Sequence, residues 1–471
     1  MRARPPTLPP HGEPAHDAGL VSRSWRAVRW LQPGLVVKRW LVTSGLGLVV
    51  ALLGAAIWAD FKPVYWTLET VEWLLQTLTS AMPRQVTGPA ILLLGVGLVI
   101  WGQSRSFGSI QRALAPEKDT SLLDALRAQN RLDRGPAIVA IGGGTGLSTL
   151  LSGLKRYSSR ITAIVTVADD GGSSGVLRRE LGVQPPGDIR NCLAALSTEE
   201  PLLTRLFQYR FPNRSGLAGH SFGNLFLTAL AAITGSLESA ITASGRVLAV
   251  QGQVVPATSA DVRLWADLED GRRLEGESAI GKASAPIRRL GCTPETPAAL
   301  PRALEAIAGA DLIVLGPGSL YTSLLPNLLV PDLVQALLQS RAPRLYVCNL
   351  MTQPGETDGL DVEGHLRAIE SQLSQLGVEE LLFPAVLVQE PIRNRGLLEH
   401  YARHGAMPVA CPTARLRRQG YEVMQAPLLS NRTDGVRHDP RSLAIAVMRF
   451  YRRHRSGLEQ SLRQQMADRL S

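Results

Sequence analysis

The stretch Pro136-Ala137-Ile138-Val139-Ala140-Ile141-Gly142-Gly143-Gly144-Thr145-Gly146, followed by Ile161-Thr162-Ala163-Ile164-Val165-Thr166-Val167-Ala168-Asp169-Asp170-Gly171-Gly172-Ser173-Ser174-Gly175, carries the strongest signal in the chain. Each half is an apolar, β-branched run that opens into a glycine-rich loop, the pattern of a strand buried in a parallel sheet. Glycines accept positive φ and let backbone N–H groups approach an anion, and the helix expected to begin near Leu147 points its positive end at the same place. Both loops therefore emerge at the carboxyl edge of one sheet, where open α/β proteins bind ligands. The expectation is a phosphate-bearing ligand held by Gly142, Gly143, Gly144, Thr145 and Gly146, with Asp169, Asp170, Ser173 and Ser174 beside it.

Two familiar phosphate motifs do not fit. A P-loop needs a lysine directly after its glycines, and none occurs until Lys155. The dinucleotide fingerprint needs G-x-G-x-x-G, whereas the glycines fall at 142, 143, 144 and 146. Asp169 does lie where a ribose-binding acid would, so an NAD-dependent oxidoreductase remains an alternative. Against any ligand stands the fact that glycine-rich βα turns are common in α/β proteins.

Working outward, a linker helix is expected across 105–132 and the globular domain across 133–455, with residues 456–471 as a tail. Strands and helices alternate to about residue 240, which predicts a Rossmann-like, doubly wound, mostly parallel sheet. Arg246–Val255 and Asp261–Ile280 then alternate apolar and polar residues, with Asp270-Gly271 as a type I′ hairpin signal, and read as an antiparallel β excursion. Alternation resumes with Asp311–Leu315 leading into Gly316-Pro317-Gly318-Ser319, and with Arg344–Leu350 leading into Met351–Thr357. Gly318 and Ser319, with Thr322, Ser323 and Asn327 behind them, suit a second phosphate. Pro186-Gly187-Asp188-Ile189-Arg190-Asn191 precedes an apolar helix. There Asp188 either caps the helix or faces the ligand with Arg190 and Asn191. Gly219-His220-Ser221-Phe222-Gly223-Asn224 opens another helix, where the Asn224 amide can read a base or sugar edge.

Composition places the protein. The 471 residues are 45% hydrophobic with a net charge of +10, and much of that excess sits in the proline-rich, basic arm 1–39. Neither this cluster nor Arg449, Arg452, Arg453 and Arg455 is interleaved with an RNA-recognition or helix-turn-helix pattern, so no nucleic acid partner is expected. Leu41–Ala59 is an uncharged stretch of 19 residues, about 28 Å long as helix, and 86–103 is a second. Together they predict a transmembrane hairpin over 40–104 that precedes the body. Lysine and arginine bias puts both termini in the cytoplasm, and Tyr65, Trp66 and Trp73 between the spans suit an outer interface. The localisation expected is the inner membrane, multi-pass, with the main domain cytoplasmic. Cys192, Cys292, Cys348 and Cys411 form no C-x-x-C, so they read as buried thiols, and His400 and His404 lack the glutamate of a zinc helix.

Taken together, Gly142–Gly146, Ala168–Gly175, Pro186–Asn191, Gly219–Asn224 and Asn349–Thr357 resemble the bacterial gluconeogenesis factor family, which is similar to the 2-phospho-L-lactate transferases. The resemblance covers roughly 133–451. It implies a Rossmann-like fold, binding of a uridine diphosphate sugar or related nucleotide, and a regulatory role in cell shape and envelope synthesis during growth on gluconeogenic carbon. Where the transferases have Ser-Pro-Asp-Leu-Asp-Thr, this chain has Pro186-Gly187-Asp188-Ile189-Arg190-Asn191: one acid is kept and another is replaced by Arg190. Their charged Gly-Asp-Arg-Asp-Arg stretch is replaced by Gly219-His220-Ser221-Phe222-Gly223. The alternative is a phospholactyl-type transferase with Asp170 or Asp188 as catalytic candidates. Mg²⁺ on Asp169 and Asp170 is the cofactor to test, membrane lipid is the partner of the hairpin, and a homo-oligomer is compatible with the chain.

Overall fold

In a computed structural model of the chain, the described residues run from 129 to 470, apart from 199–200, 213–215, 393–395, 397–398, 400–401, 404 and 431–435. To these are added the helix α1 (Lys62–Ala81) and isolated positions between 46 and 98. The chain divides after Ala128 into two units. In the first, Tyr65, Trp66 and Trp73 of α1 are exposed. Leu46, Val50, Leu92 and Leu93 are helical and exposed too. Most of the predicted spans 41–59 and 86–103, most of the linker helix, and His400 and His404 lie outside the described residues. Among the described residues no single helix is long and apolar enough to cross a membrane.

The second unit is built on a seven-stranded sheet in the order β10-β9-β8-β7-β1-β2-β3, with every pairing parallel. Its strands are β1 (Ile138–Gly142), β2 (Ile161–Val165), β3 (Gln253–Pro256), β7 (Leu312–Leu315), β8 (Arg344–Val347), β9 (Ala385–Gln389) and β10 (Glu422–Ala426). Period-2 alternation splits the strand residues between two apolar cores, as a sheet covered on both faces requires. Ile138 and Ala140 of β1 join Leu147, Leu150 and Leu154 on one side, while Val139 and Ile141 join Leu320, Leu324 and Leu333 on the other. From β1 the chain winds outward to β2 and β3, then returns beside β1 as β7 and winds the other way. The switch point is therefore the β1/β7 boundary.

Between β3 and β7 a three-stranded antiparallel sheet, β5-β4-β6, is inserted, made of β4 (Arg263–Leu268), β5 (Arg273–Glu275) and β6 (Ile287–Thr293). The excursion differs from expectation at both ends. Arg246–Val255 is not part of it: residues to Val247 finish a helix, and β3 is the parallel edge strand of the main sheet. Nor is the turn type I′, which needs positive φ at both central residues. Only Gly271 has positive φ, 85°, while the Gly271 N–H donates to the Leu268 carbonyl and the Leu268 N–H to the Arg272 carbonyl. That is a three-residue loop with a glycine bulge.

The helices that position the loops are α2 (Gly144–Leu154), α3 (Gly172–Leu181), α4 (Gly187–Leu196), α5 (Pro201–Gln208), α6 (Phe222–Thr234), α7 (Leu237–Val247) and the single turn α8 (Glu277–Ile280). α2 begins three residues earlier than Leu147 because Gly144, at φ 64°, makes the turn into the helix. The tail 456–470 continues the last helix, Pro440–Leu470.

Candidate functional site

At the switch point the first and third loops interlock. A Cβ on Gly146 would lie 2.4 Å from the Pro317 carbonyl oxygen, and one on Gly143 would lie 2.5 Å from Asp188 Oδ2, so only glycine fits. Asn327 Nδ2 donates to the Ser323 carbonyl at 2.9 Å and the Gly142 carbonyl at 3.4 Å, which ties the loop after β7 to the end of β1. Asn327 Nδ2 is thus committed to the scaffold, while its Oδ1 is buried without a hydrogen-bond partner. The Gly318 N–H donates to Asn349 Oδ1 at 3.3 Å and Ser319 Oγ to Gln353 Oε1 at 2.7 Å. Glu356 completes this side: its carboxylate accepts from the Thr322 hydroxyl at 2.8 Å and the Tyr321 N–H at 3.1 Å. Burial nonetheless raises its pKa.

The β2 side is built differently. α2, α3 and α4 all start without a side-chain cap, whereas Ser236 and Asp361 cap helices elsewhere. The Gly144 N–H of α2 is taken by the Asp188 carboxylate, and the starts of α3 and α4 carry the positive dipole ends that favour an anion. Asp188 does not cap α4. It lies inside the first turn, after Pro186 and Gly187, and its carboxylate reaches across to accept the Gly144 N–H. Burial and the neighbouring Asp169 push its pKa up to about 6, against the opposing pull of that N–H and of Arg190. Asp169 accepts the Gly171 N–H at 2.9 Å, and its other oxygen would meet a Cβ on Gly187 at 2.9 Å. Asp170 turns away, accepting the Ser278 N–H at 2.9 Å and so capping α8.

α8 delivers a carboxylate with no sequence-local signal. Glu277 is pushed up to about 7, first by burial and then by Asp169, Asp170 and Asp188. A shared negative field of this kind leaves protons on carboxyls near neutral pH. Among the described residues no group of three or more histidines, cysteines or acids is arranged to hold a metal ion. Asp170 Oδ1 is occupied as the cap of α8 and Asp169 Oδ1 by the Gly171 N–H, so a Mg²⁺ on this pair would rest on the two Oδ2 atoms.

The Gly219–Asn224 loop closes the other flank. Ser221 caps α6 and accepts from Arg190 Nη1, while Arg190 Nη2 donates to Asn191 Oδ1 at 2.8 Å. Asn224 Nδ2 donates to Ser173 Oγ at 3.0 Å, and Ser173 Oγ lies 3.1 Å from His220 Nδ1. Two buried polar atoms here have no hydrogen-bond partner, Arg190 Nε and Asn224 Oδ1, and such groups demand an explanation such as a ligand. Thr145 and Gly172 are exposed at the mouth of the crevice, and Ser174 is buried against Gly187. A cavity of about 870 Å³ lined by Asp311, Asp332 and Pro343 lies instead at the amino ends of β7 and β8 and touches none of these loops.

Residues 138–429 match the family model described as 2-phospho-L-lactate transferase CofD, which covers the whole sheet and every loop above. The chain belongs to the CofD family. Within that family it is 46% identical to the gluconeogenesis factor of Bacillus subtilis, over 66% of this chain and 97% of that protein. A relative from Nostoc sp. (strain PCC 7120) is 55% identical over 90% of this chain and 92% of its own length, so that likeness reaches into the N-terminal unit. A solved UPF0052 member from Bacillus halodurans is 46% identical, with a TM-score of 0.63 over 67% of this chain and 99% of its own.

In this CofD-family chain the structure brings together Gly142–Gly146, Asp169, Ser173, Ser174, Asp188, Arg190, Asn191 and Asn224, and places Gly318 and Ser319 across the crevice. Sequence reading missed Glu277, which lies about 90 to 110 residues from Asp169, Asp170 and Asp188. It also missed His220, visible in its motif but not distinguishable there from a loop residue.

Proposed function

We propose that this chain is a membrane-tethered, nucleotide-sugar-binding regulatory protein of envelope metabolism, acting in cell morphogenesis during gluconeogenic growth. The observation that carries the reading is the pair of helix starts at Gly172 and Gly187, both without a side-chain cap, beside one crevice at the switch point. Such a crevice suits the diphosphate of a uridine diphosphate sugar. Arg190 Nε and Asn224 Oδ1, buried and unpartnered, supply the groups that would read sugar or base. The name borne by the Bacillus subtilis relative supports the physiological setting, and the uncharged stretches 41–59 and 86–103 support the tether.

A second reading is favoured by Asp188. A carboxyl with a pKa of about 6 beside a phosphate site suits a general base that accepts the proton of an attacking hydroxyl, as a phospholactyl-type transferase requires.

Calorimetric titration of the domain from residue 129 with uridine diphosphate N-acetylglucosamine, guanosine diphosphate and NAD, each with and without Mg²⁺, tests both. Binding of the sugar nucleotide, recovered unchanged in the presence of acceptors, is the expected outcome. Binding of NAD alone sinks both readings, and turnover of the nucleotide moves the balance to the transferase. For the tether, protease added outside intact cells should leave the body whole.

A further inference from the structure

We propose that the cavity between β6 and the helix α9 (Val362–Ser374) is a second ligand site, taking a small organic anion, whose occupancy is felt at the crevice. It holds about 480 Å³, within the range of small-molecule pockets. Its distinguishing residue is Gln372. α9 turns Val362, Leu366, Ile369 and Leu373 into the core, and Gln372 sits among them at 4% exposure. Among the described residues no group hydrogen-bonds its carboxamide, and the side chain lines the cavity. Burying an unpaired amide costs free energy that a leucine would not. A polar group on a ligand is the partner that offsets it.

The sign of the ligand follows from the other walls. β6 is an edge strand of the inserted sheet, and its register against β4 shifts between Asp267 and Leu268. Such a bulge re-aims side chains, and here Arg288 and Arg289 are both exposed and both line the cavity. Arg288 makes no hydrogen bond or ion pair among the described residues. Arg289 spends Nε on Gln375 Oε1 at 3.3 Å, and Arg367 spends Nη2 on Glu363 Oε1 at 3.2 Å. Their remaining N–H groups suit a carboxylate or a phosphate. Of the acids in the lining, Glu356 and Asp358 already accept backbone N–H groups, which leaves Glu269 against three guanidiniums. Leu290, Leu325 and Leu360 supply apolar surface, so the ligand is an anionic group on an apolar body. Tyr321 and Glu356 are the wall shared with the crevice. Glu356 accepts from the Thr322 hydroxyl and from Gln353 Nε2 at 3.0 Å, and Gln353 in turn holds Ser319. Filling the cavity therefore bears on the loop after β7.

The domain from residue 129 corresponds to the Bacillus halodurans protein, matched over 99% of its length, and is suited to the test. Phenyl phosphate and benzoate carry the two candidate anions on an apolar ring; phenol and benzamide are their neutral controls. Saturation-transfer NMR should show at least one ring anion binding in the millimolar range and neither control. Gln372→Leu should weaken that binding about fivefold while keeping or raising the melting temperature, a result that a purely structural glutamine would not give. Arg288→Ala should weaken it to a similar degree with an unchanged circular dichroism spectrum. The bound anion should also slow amide exchange across 319–322, read by mass spectrometry. No nucleotide enters these measurements, so they stand apart from the reading of the crevice. Absence of binding, equal binding of the neutral controls, a Gln372→Leu variant that keeps its affinity, binding that depends on Asn224 in place of Gln372 and Arg288, or unaltered exchange across 319–322 overturns the proposal.

Discussion

The two banks of the crevice are built on opposite principles. On the β1/β7 bank most polar groups are already satisfied by protein: Asn327 Nδ2 holds two loops together although its Oδ1 has no partner, Asn349 takes the Gly318 N–H, and Gln353 and Glu356 hold Ser319 and Thr322, with burial raising the Glu356 pKa. On the β2 bank Arg190 Nε and Asn224 Oδ1 are buried without partners, and Asp188 and Glu277 hold raised pKa values. One bank is a rigid cradle whose shape depends on glycine. The other keeps strained electrostatics that a ligand would relieve.

The contrast is most sharply broken at Gly146. Gly146→Ala drives a methyl into the Pro317 carbonyl, and should cost about 3 kcal/mol of stability, read by denaturant unfolding, with loss of nucleotide binding. A neutral result there would mean the cradle is not rigid. On the β2 bank the expected signature is reversed. Asn224→Ala removes one modest hydrogen bond from the free protein, about 1 kcal/mol, but should weaken nucleotide affinity about tenfold, measured by calorimetry. Equal affinity would mark Asn224 Oδ1 as a structural orphan.

The raised carboxyls give a pH test. A carboxyl whose folded pKa exceeds its unfolded value binds more protons when folded, so stability falls as pH rises through that interval. For Asp188 the interval runs from 3.8 to about 6, and for Glu277 from 4.5 to about 7. The Asp188→Asn variant should therefore lose the part of the decline in melting temperature that falls between pH 3.8 and about 6, with an effect on the order of 2 kcal/mol. A profile identical to the parent would remove Asp188 from the shared field. The smallest effect is expected at Asp170, which only caps α8: Asp170→Ala should cost about 1 kcal/mol or less and leave affinity within a factor of two. A large loss of binding would return Asp170 to the site.

What the sequence determined by itself was local and periodic. The apolar runs at 138–142, 161–165 and 312–315 and the glycines that follow them fixed strands, loops and the sheet edge at which they emerge, because burial on both faces and positive φ leave direct marks on residue type. The short-range devices were less legible: the Asp270-Gly271 turn closed as a bulge, and Asp188 sat two residues past the cap position of α4, which Pro186 holds. Tertiary structure alone decided the rest. That Asp170 is spent on α8, that Glu277 joins Asp169 and Asp188, and that His220 meets Ser173 all depend on elements brought together across 40 to 110 residues. Hydrogen-bond partners and shared fields act through space, so no spacing along the chain records them.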